Sequence, residues 1–172
     1  MSTAASTRAP GGLSAAELGA WRGLLRAHAA LVKALDGELE RAHGLALSSF
    51  EVLLRLDAAP ARRMRMCDLA SSALLSRSGL TRLVDRLERD GYVARDSCAD
   101  DARGSFAVLT DSGAQIVSEA RATHIEAARS HFLDRFSARE LDSLRGYLER
   151  LAEGSPETGC CASTPRALRR SS

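Results

Sequence analysis

The sequence predicts a mainly α-helical domain with one small β-hairpin. Apolar residues recur at helical spacing through most of residues 14–152, and capping patterns mark where several helices begin. The period changes once, where short β-like runs at 92–95 and 105–109 flank a polar loop. With 172 residues, 45% of them hydrophobic and 27% charged, the chain has the composition of one globular domain with tails.

Three of the predicted helices open with a reciprocal capping box, in which a serine is followed three residues later by a glutamate. The pairs are Ser14/Glu17, Ser48/Glu51 and Ser137/Glu140. At the last two boxes an apolar residue precedes the cap and faces the fourth helical position, as in a hydrophobic staple. We therefore expect helices to begin at these three serines.

Four helices precede the hairpin. The first keeps helical spacing for about seven turns after residue 14. The second runs over 48–58 and stops at Pro60, and a short third helix covers 67–73. The fourth runs over 76–90 and ends at Gly91, a residue type that often follows a helix C-terminus.

Two helices follow the hairpin. Thr110 and Asp111 cap a long helix, and the final helix has leucines at heptad-like spacing. Those leucines are Leu141, Leu144, Leu148 and Leu151. The first helix and these last two carry apolar stripes that one subunit does not cover, so we expect a helical dimerisation region.

The fourth helix has two chemically different faces. Its apolar residues Leu80, Leu83, Val84 and Leu87 cluster within about 100° of the helical wheel. Its polar residues Ser78, Arg82, Arg86 and Arg89 lie on the opposite side. Three short helices followed by a β-hairpin wing form a winged helix-turn-helix lobe, whose last helix can enter a DNA major groove. The alternative is a solvated surface helix, with Asp85 and Glu88 within reach of some of its arginines.

Two further groups of arginines favour DNA. Arg103 lies near the tip of the hairpin loop with Asp100 and Asp101, where an arginine can enter a minor groove while a carboxylate positions it. Arg62, Arg63 and Arg65 precede the third helix, within reach of backbone phosphates in the predicted lobe.

The sequence around the fourth helix resembles the MarR family of bacterial transcriptional regulators. The resemblance lies in TRLVDRLE at 81–88, GYVAR at 91–95, DAR at 101–103 and VLTDSG at 108–113. It implies a homodimer that binds a pseudo-palindromic operator in double-stranded DNA. Residues 14–44 and 111–152 would be its dimerisation helices and 45–110 its winged helix-turn-helix, with disordered tails at 1–13 and 153–172.

The resemblance also assigns residues to DNA contact. The expected groove or phosphate contacts are Ser76, Arg77, Ser78, Thr81 and Arg82, to which the basic face adds Arg86, and the wing contributes Arg103 oriented by Asp101. Two simpler roles remain open: Ser76 as a helix N-cap, and Thr81 as a packing residue at the helix flank.

Relatives in this family respond to small phenolic or anionic ligands, or to oxidants through cysteine. The residues expected to line an effector crevice are Trp21, His28, His43 and Phe50, with packing or plain exposure as the alternative for each. Cys98, beside two arginines in the wing, is the alternative site for oxidation sensing, whereas Cys67 is expected to pack.

Other classes of protein find little support in the sequence. It contains no apolar run of the ~20 residues needed for a membrane span and no secretory signal pattern, so we expect a cytoplasmic protein. It shows no glycine-rich phosphate loop, no G-x-S-x-G elbow and no metal cluster, so we expect no enzyme, cofactor or metal. The leading hypothesis is a sequence-specific homodimeric repressor released by a ligand. A winged-helix protein-interaction module is the alternative.

Overall fold

A computed structural model describes residues 12–73, 75–97 and 105–153. It has six α-helices and a three-stranded antiparallel sheet within these residues, which confirms the predicted fold class. The helices are α1 (Ala15–His43), α2 (Leu47–Ala58), α3 (Met66–Ser72), α4 (Arg77–Arg89), α5 (Asp111–His131) and α6 (Ala138–Glu153). The strands are β1 (Arg63–Arg65), β2 (Val93–Ser97) and β3 (Ser105–Leu109).

Two of the three predicted capping boxes form. Ser14 accepts a hydrogen bond from the backbone of Glu17 at 3.2 Å, and its own N–H donates to the Glu17 carboxylate at 2.8 Å. Ser137 and Glu140 make the same reciprocal pair at the start of α6. Because the carboxylates accept backbone hydrogen bonds, the pKa of Glu17 and that of Glu140 are lowered.

The third predicted box, at Ser48, is wrong. The helix begins one residue earlier, at Leu47, so Ser48 lies inside it and the N-cap residue is Ala46, whose side chain makes no capping bond. The carboxylate of Asp36 on α1 instead accepts the Leu47 N–H at 2.8 Å. The cap is therefore supplied by a neighbouring helix, which no local pattern reveals.

The sheet contains a strand that the sequence did not predict. The strand order is β1-β3-β2, with Met64 opposite Ala107 in β3. Arg63 pairs with Asp96 at 3.0 Å and lies 3.9 Å from the ring centroid of Phe106. The run expected to touch phosphate therefore forms an edge strand, and at least one of its arginines is held by the wing.

The core lies in the winged lobe and extends to the parts of α1 and α5 that pack against it. The largest fully buried side chains are Phe50, Leu39, Leu53, Leu56, Leu69, Leu80, Leu87, Val52, Val84 and Val117. By contrast α6 has no buried residue, and large apolar side chains on α1 and α6 are exposed. Among the described residues no helix combines the length and apolar character needed to cross a bilayer.

Candidate nucleic-acid interface

The anchored face of α4 is buried as predicted. Leu80, Leu83, Val84 and Leu87 are at most 5% exposed and belong to the core. The helix begins after Ser76, whose hydroxyl accepts a hydrogen bond from the backbone N–H of Gly79 at 3.1 Å. Burial of one face and capping at the N-terminus fix the direction in which the other face points.

The opposite face of α4 is an exposed arginine strip, formed by Arg82, Arg86 and Arg89. With Ser48, Leu75 and Gly79, these arginines line an open groove of about 330 Å³. In the described part of the chain neither Arg82 nor Arg86 has a carboxylate partner. The guanidinium of Arg89 donates to the backbone oxygen of Asp85 at 3.3 Å. The strip is therefore available to an anion.

The acidic residues of α4 are held by the wing. Arg95 on β2 hydrogen-bonds the carboxylate of Asp85 and lies 3.6 Å from that of Glu88. Its guanidinium also donates to the backbone oxygen of Thr81 at 3.4 Å. The alternative, in which Asp85 and Glu88 pair with arginines of their own helix, is thus not what the described residues show.

The small polar residues at the start of α4 are exposed. The hydroxyls of Ser76 and Ser78 lie 3.3 Å apart, and Thr81 donates to the backbone oxygen of Arg77 at 2.8 Å. The N-cap role for Ser76 is therefore present. A serine hydroxyl that accepts from a backbone N–H keeps its own hydrogen, so capping leaves Ser76 a donor.

The wing begins as a regular hairpin. Strand β2 pairs with β3 in antiparallel register, with Arg95 opposite Ala107 and Asp96 opposite Phe106. The predicted wing-tip residues Asp101 and Arg103 and the candidate redox residue Cys98 lie outside the described residues.

One hydroxyl joins the lobe to α5. Thr110 donates to the backbone oxygen of Gly91 at 2.7 Å and accepts from the N–H of Gly113 at 3.0 Å. Its own N–H donates to the backbone oxygen of Tyr92 at 3.1 Å. The predicted cap at Thr110 is confirmed, and it also fixes the turn that follows α4.

The four residues expected to line an effector crevice do not meet within the chain. Trp21 and His28 lie on the exposed part of α1, whereas His43 lies at its end and bonds Thr123 at 2.8 Å. At 1.5 Å per residue, Trp21 and His43 are about 33 Å apart along the helix. Phe50 is fully buried, so no ligand reaches it without displacing the core.

A histidine outside the predicted crevice residues, His124, lies beside Phe50. The ring of His124 on α5 is 4.9 Å from that of Phe50, and its Nδ1 is buried with no hydrogen-bond partner among the described residues. Burial lowers the pKa of His124, and the negative charge of Glu51 partly opposes the shift. No group of three metal-binding side chains occurs in the described ranges.

The fold and this site together define a winged helix-turn-helix protein with an exposed basic recognition helix. The model of the MarR family matches residues 45–105. Sco3205, a MarR family transcriptional regulator from Streptomyces coelicolor solved in complex with DNA, is 36% identical with a TM-score of 0.79, over 83% of this chain and 93% of that chain.

Two further regulators from the same organism are similar. AbsC is 34% identical with a TM-score of 0.77, over 83% of this chain and 95% of that chain. Sco5413, at 24% identity and a TM-score of 0.72, covers 81% of this chain and 95% of that chain and shares the fold. The chain belongs to the MarR family of transcriptional regulators.

Proposed function

We propose that this protein is a homodimeric repressor that binds a pseudo-palindromic DNA operator in the cytoplasm and is released by a small-molecule effector. The observation that carries the proposal is the arginine strip on α4, exposed and opposite a buried face. Sco3205 supports it, because that relative was crystallised with DNA.

The order of the residues along α4 supports a separate role for each in the major groove. The N-terminal residues of a recognition helix approach base edges, so Ser76, Arg77, Ser78 and Thr81 belong to that end of the contact. Arg82 follows them, and its planar guanidinium matches the O6 and N7 atoms of guanine. Arg86 lies one turn further along and is assigned to a backbone phosphate. In the wing, Arg103 enters the minor groove and Asp101 orients it.

Exposed apolar side chains support the homodimer. Trp21, Leu24 and Leu25 on α1, and Tyr147, Leu148 and Leu151 on α6, are 43% to 60% exposed. Residues 14–44 and 111–152 thus carry the apolar surface that a second copy would cover. A two-fold dimer presents two copies of α4, which explains why the expected operator is pseudo-palindromic.

Release by an effector requires a ligand that favours the lobe spacing incompatible with DNA. On α1, Trp21 and His28 are seven residues apart, which places them on one face about 10 Å from each other. They offer a ring and an imidazole to a small aromatic or anionic effector. His43 is bonded to Thr123 at the far end of α1 and Phe50 is buried, so neither contacts the same effector.

Selection from random duplex DNA, followed by gel-shift titration of the enriched sequence at several salt concentrations, tests the function. We expect a two-fold consensus with half-sites about one helical turn apart and affinity that falls steeply with salt. Binding no tighter than the ~10⁻⁴–10⁻⁶ M of non-specific contact would overturn the proposal and favour a protein-interaction module. If peroxide releases the protein from DNA and Cys98→Ser abolishes that release, the effector is an oxidant and not a small-molecule ligand.

A further inference from the structure

We propose that Arg95 is a positioning residue for DNA binding, because it keeps the Asp85 carboxylate away from the arginine strip of α4. This inference rests on the proposed DNA-binding function. It concerns a residue on the wing strand β2 whose guanidinium faces α4.

The spacing of residues on α4 would allow Asp85 to form ion pairs with arginines of the strip. Side chains three and four positions apart on a helix are neighbours, so Asp85 lies within reach of both Arg82 and Arg89. An acidic residue four positions before a basic one is the more favourable orientation for an ion pair. Glu88 has neither Arg82 nor Arg86 at such a spacing. Asp85 is therefore the carboxylate of α4 that could neutralise Arg82.

The structure shows that this neutralisation does not occur. The Asp85 carboxylate is hydrogen-bonded to Arg95, and Arg89 reaches only the backbone oxygen of Asp85, at 3.3 Å. Arg95 is better placed than Arg82 and Arg89 to bind the Asp85 carboxylate, because it also donates to the Thr81 carbonyl and lies 3.6 Å from Glu88. These contacts hold the guanidinium on the wing side of the helix and leave Arg82 unneutralised.

A double-mutant cycle on the full-length protein tests the proposal, after the wild type has been shown to bind a selected operator. If the wild type selects no operator, the proposed function fails and this inference fails with it, whereas operator binding without the pattern below overturns the inference alone. Arg95→Ala should weaken operator binding about tenfold, comparable to the loss of one good contact. Adding Asp85→Asn should restore most of that loss, whereas Asp85→Asn alone should change affinity less than about threefold.

The salt dependence gives a second readout. If the freed Asp85 pairs with an arginine of the strip, one positive charge facing the DNA is neutralised, so the slope of log K against log salt falls by up to about 0.9 in Arg95→Ala and returns in the double variant. A direct contact between Arg95 and phosphate would also lower the slope, but Asp85→Asn would not restore it.

The cycle distinguishes the competing explanations. Loss in Asp85→Asn equal to that in Arg95→Ala, with no rescue, would overturn the proposal and make the ion pair a brace for the wing. If Asp85→Asn raises operator affinity equally in the wild type and in Arg95→Ala, the effect comes from net charge alone. Arg145→Ala is the matched control, since Arg145 on α6 also pairs with two carboxylates. Arg95→Lys keeps the charge and should retain most of the affinity even if Arg95→Ala folds poorly.

Discussion

The carboxylate of Asp36 on α1 accepts a hydrogen bond from the backbone N–H of Leu47, the first residue of α2, at 2.8 Å. The contact joins the long helix α1 to the first helix of the winged lobe. It supplies an acceptor where the local N-cap residue, Ala46, has none.

Removal of this cap should destabilise the lobe. Asp36→Ala leaves the partly buried N–H of Leu47 unsatisfied, for which we expect a loss of about 1–2 kcal/mol in the free energy of unfolding. Ser48→Ala, at the position where the sequence predicted the cap, should change it by less than about 0.5 kcal/mol. Urea denaturation of both variants measures the difference, and a larger loss for Ser48→Ala would contradict the assigned cap.

Gly113 allows close packing between α5 and the turn after α4. A Cβ at this position would lie 2.2 Å from the backbone oxygen of Tyr92 and 2.7 Å from Leu109 Cδ1. Gly113→Ala should therefore cost about 1–3 kcal/mol, because a backbone carbonyl must shift. Gly37→Ala on α1 meets nothing within 4 Å and should be neutral or stabilising. Thermal unfolding compares the two, and equal melting temperatures would refute the close contact.

His124 should make stability depend on pH. The unfolded imidazole titrates near pH ~6.5, and burial lowers the pKa of His124 in the folded protein. Below about pH 6.5 the unfolded chain then binds more protons than the folded one, so stability is lost as the pH falls. Melting temperatures between pH 8 and pH 5.5 should drop less in His124→Gln than in the wild type. His28→Gln, on the exposed part of α1, is the control, and identical pH profiles for wild type and His124→Gln would exclude this role.

Arg82→Ala should weaken operator binding by about 1–3 kcal/mol and relax the preference at one base position. The reason is that Arg82 is the exposed member of the arginine strip nearest the N-terminus of α4. Binding measured on the selected operator and on single-base variants tests this. Arg129→Ala, exposed on α5, should have no such effect. An equal loss on every DNA sequence would make Arg82 a phosphate contact.

Leu148→Asp should produce monomers. Leu148 is 43% exposed on α6, and a charge there would be buried without a partner in the proposed dimer. We expect sedimentation at the monomer mass and loss of operator binding, with the helical circular dichroism of the lobe retained. Arg139→Glu, on the opposite face of α6, should remain dimeric. A dimeric Leu148→Asp would remove this face from the interface.

The sequence predicted features whose cause is local. Ser14 and Ser137 cap their own helices, and α4 was identified because its apolar and basic residues occupy separate faces. Features that depend on distant partners were missed. The pairing of Arg95 with Asp85 joins a strand to a helix ten residues earlier, and β1 has only three residues, too few for a period to be recognised.

The junction at Thr110 means that a rotation of α5 about its far end would displace the winged lobe. This threonine is bonded to the turn after α4 and to the first turn of α5, so it holds the start of α5 against the winged lobe. At 1.5 Å per residue the 21 residues of α5 are about 31 Å long. A pivot of only about 10° at the far end, near Phe132, would displace the lobe by about 5 Å, more than the ~3.4 Å between successive base pairs. A small rotation at the helical end of the subunit is therefore enough to move the recognition helix out of step with its bases.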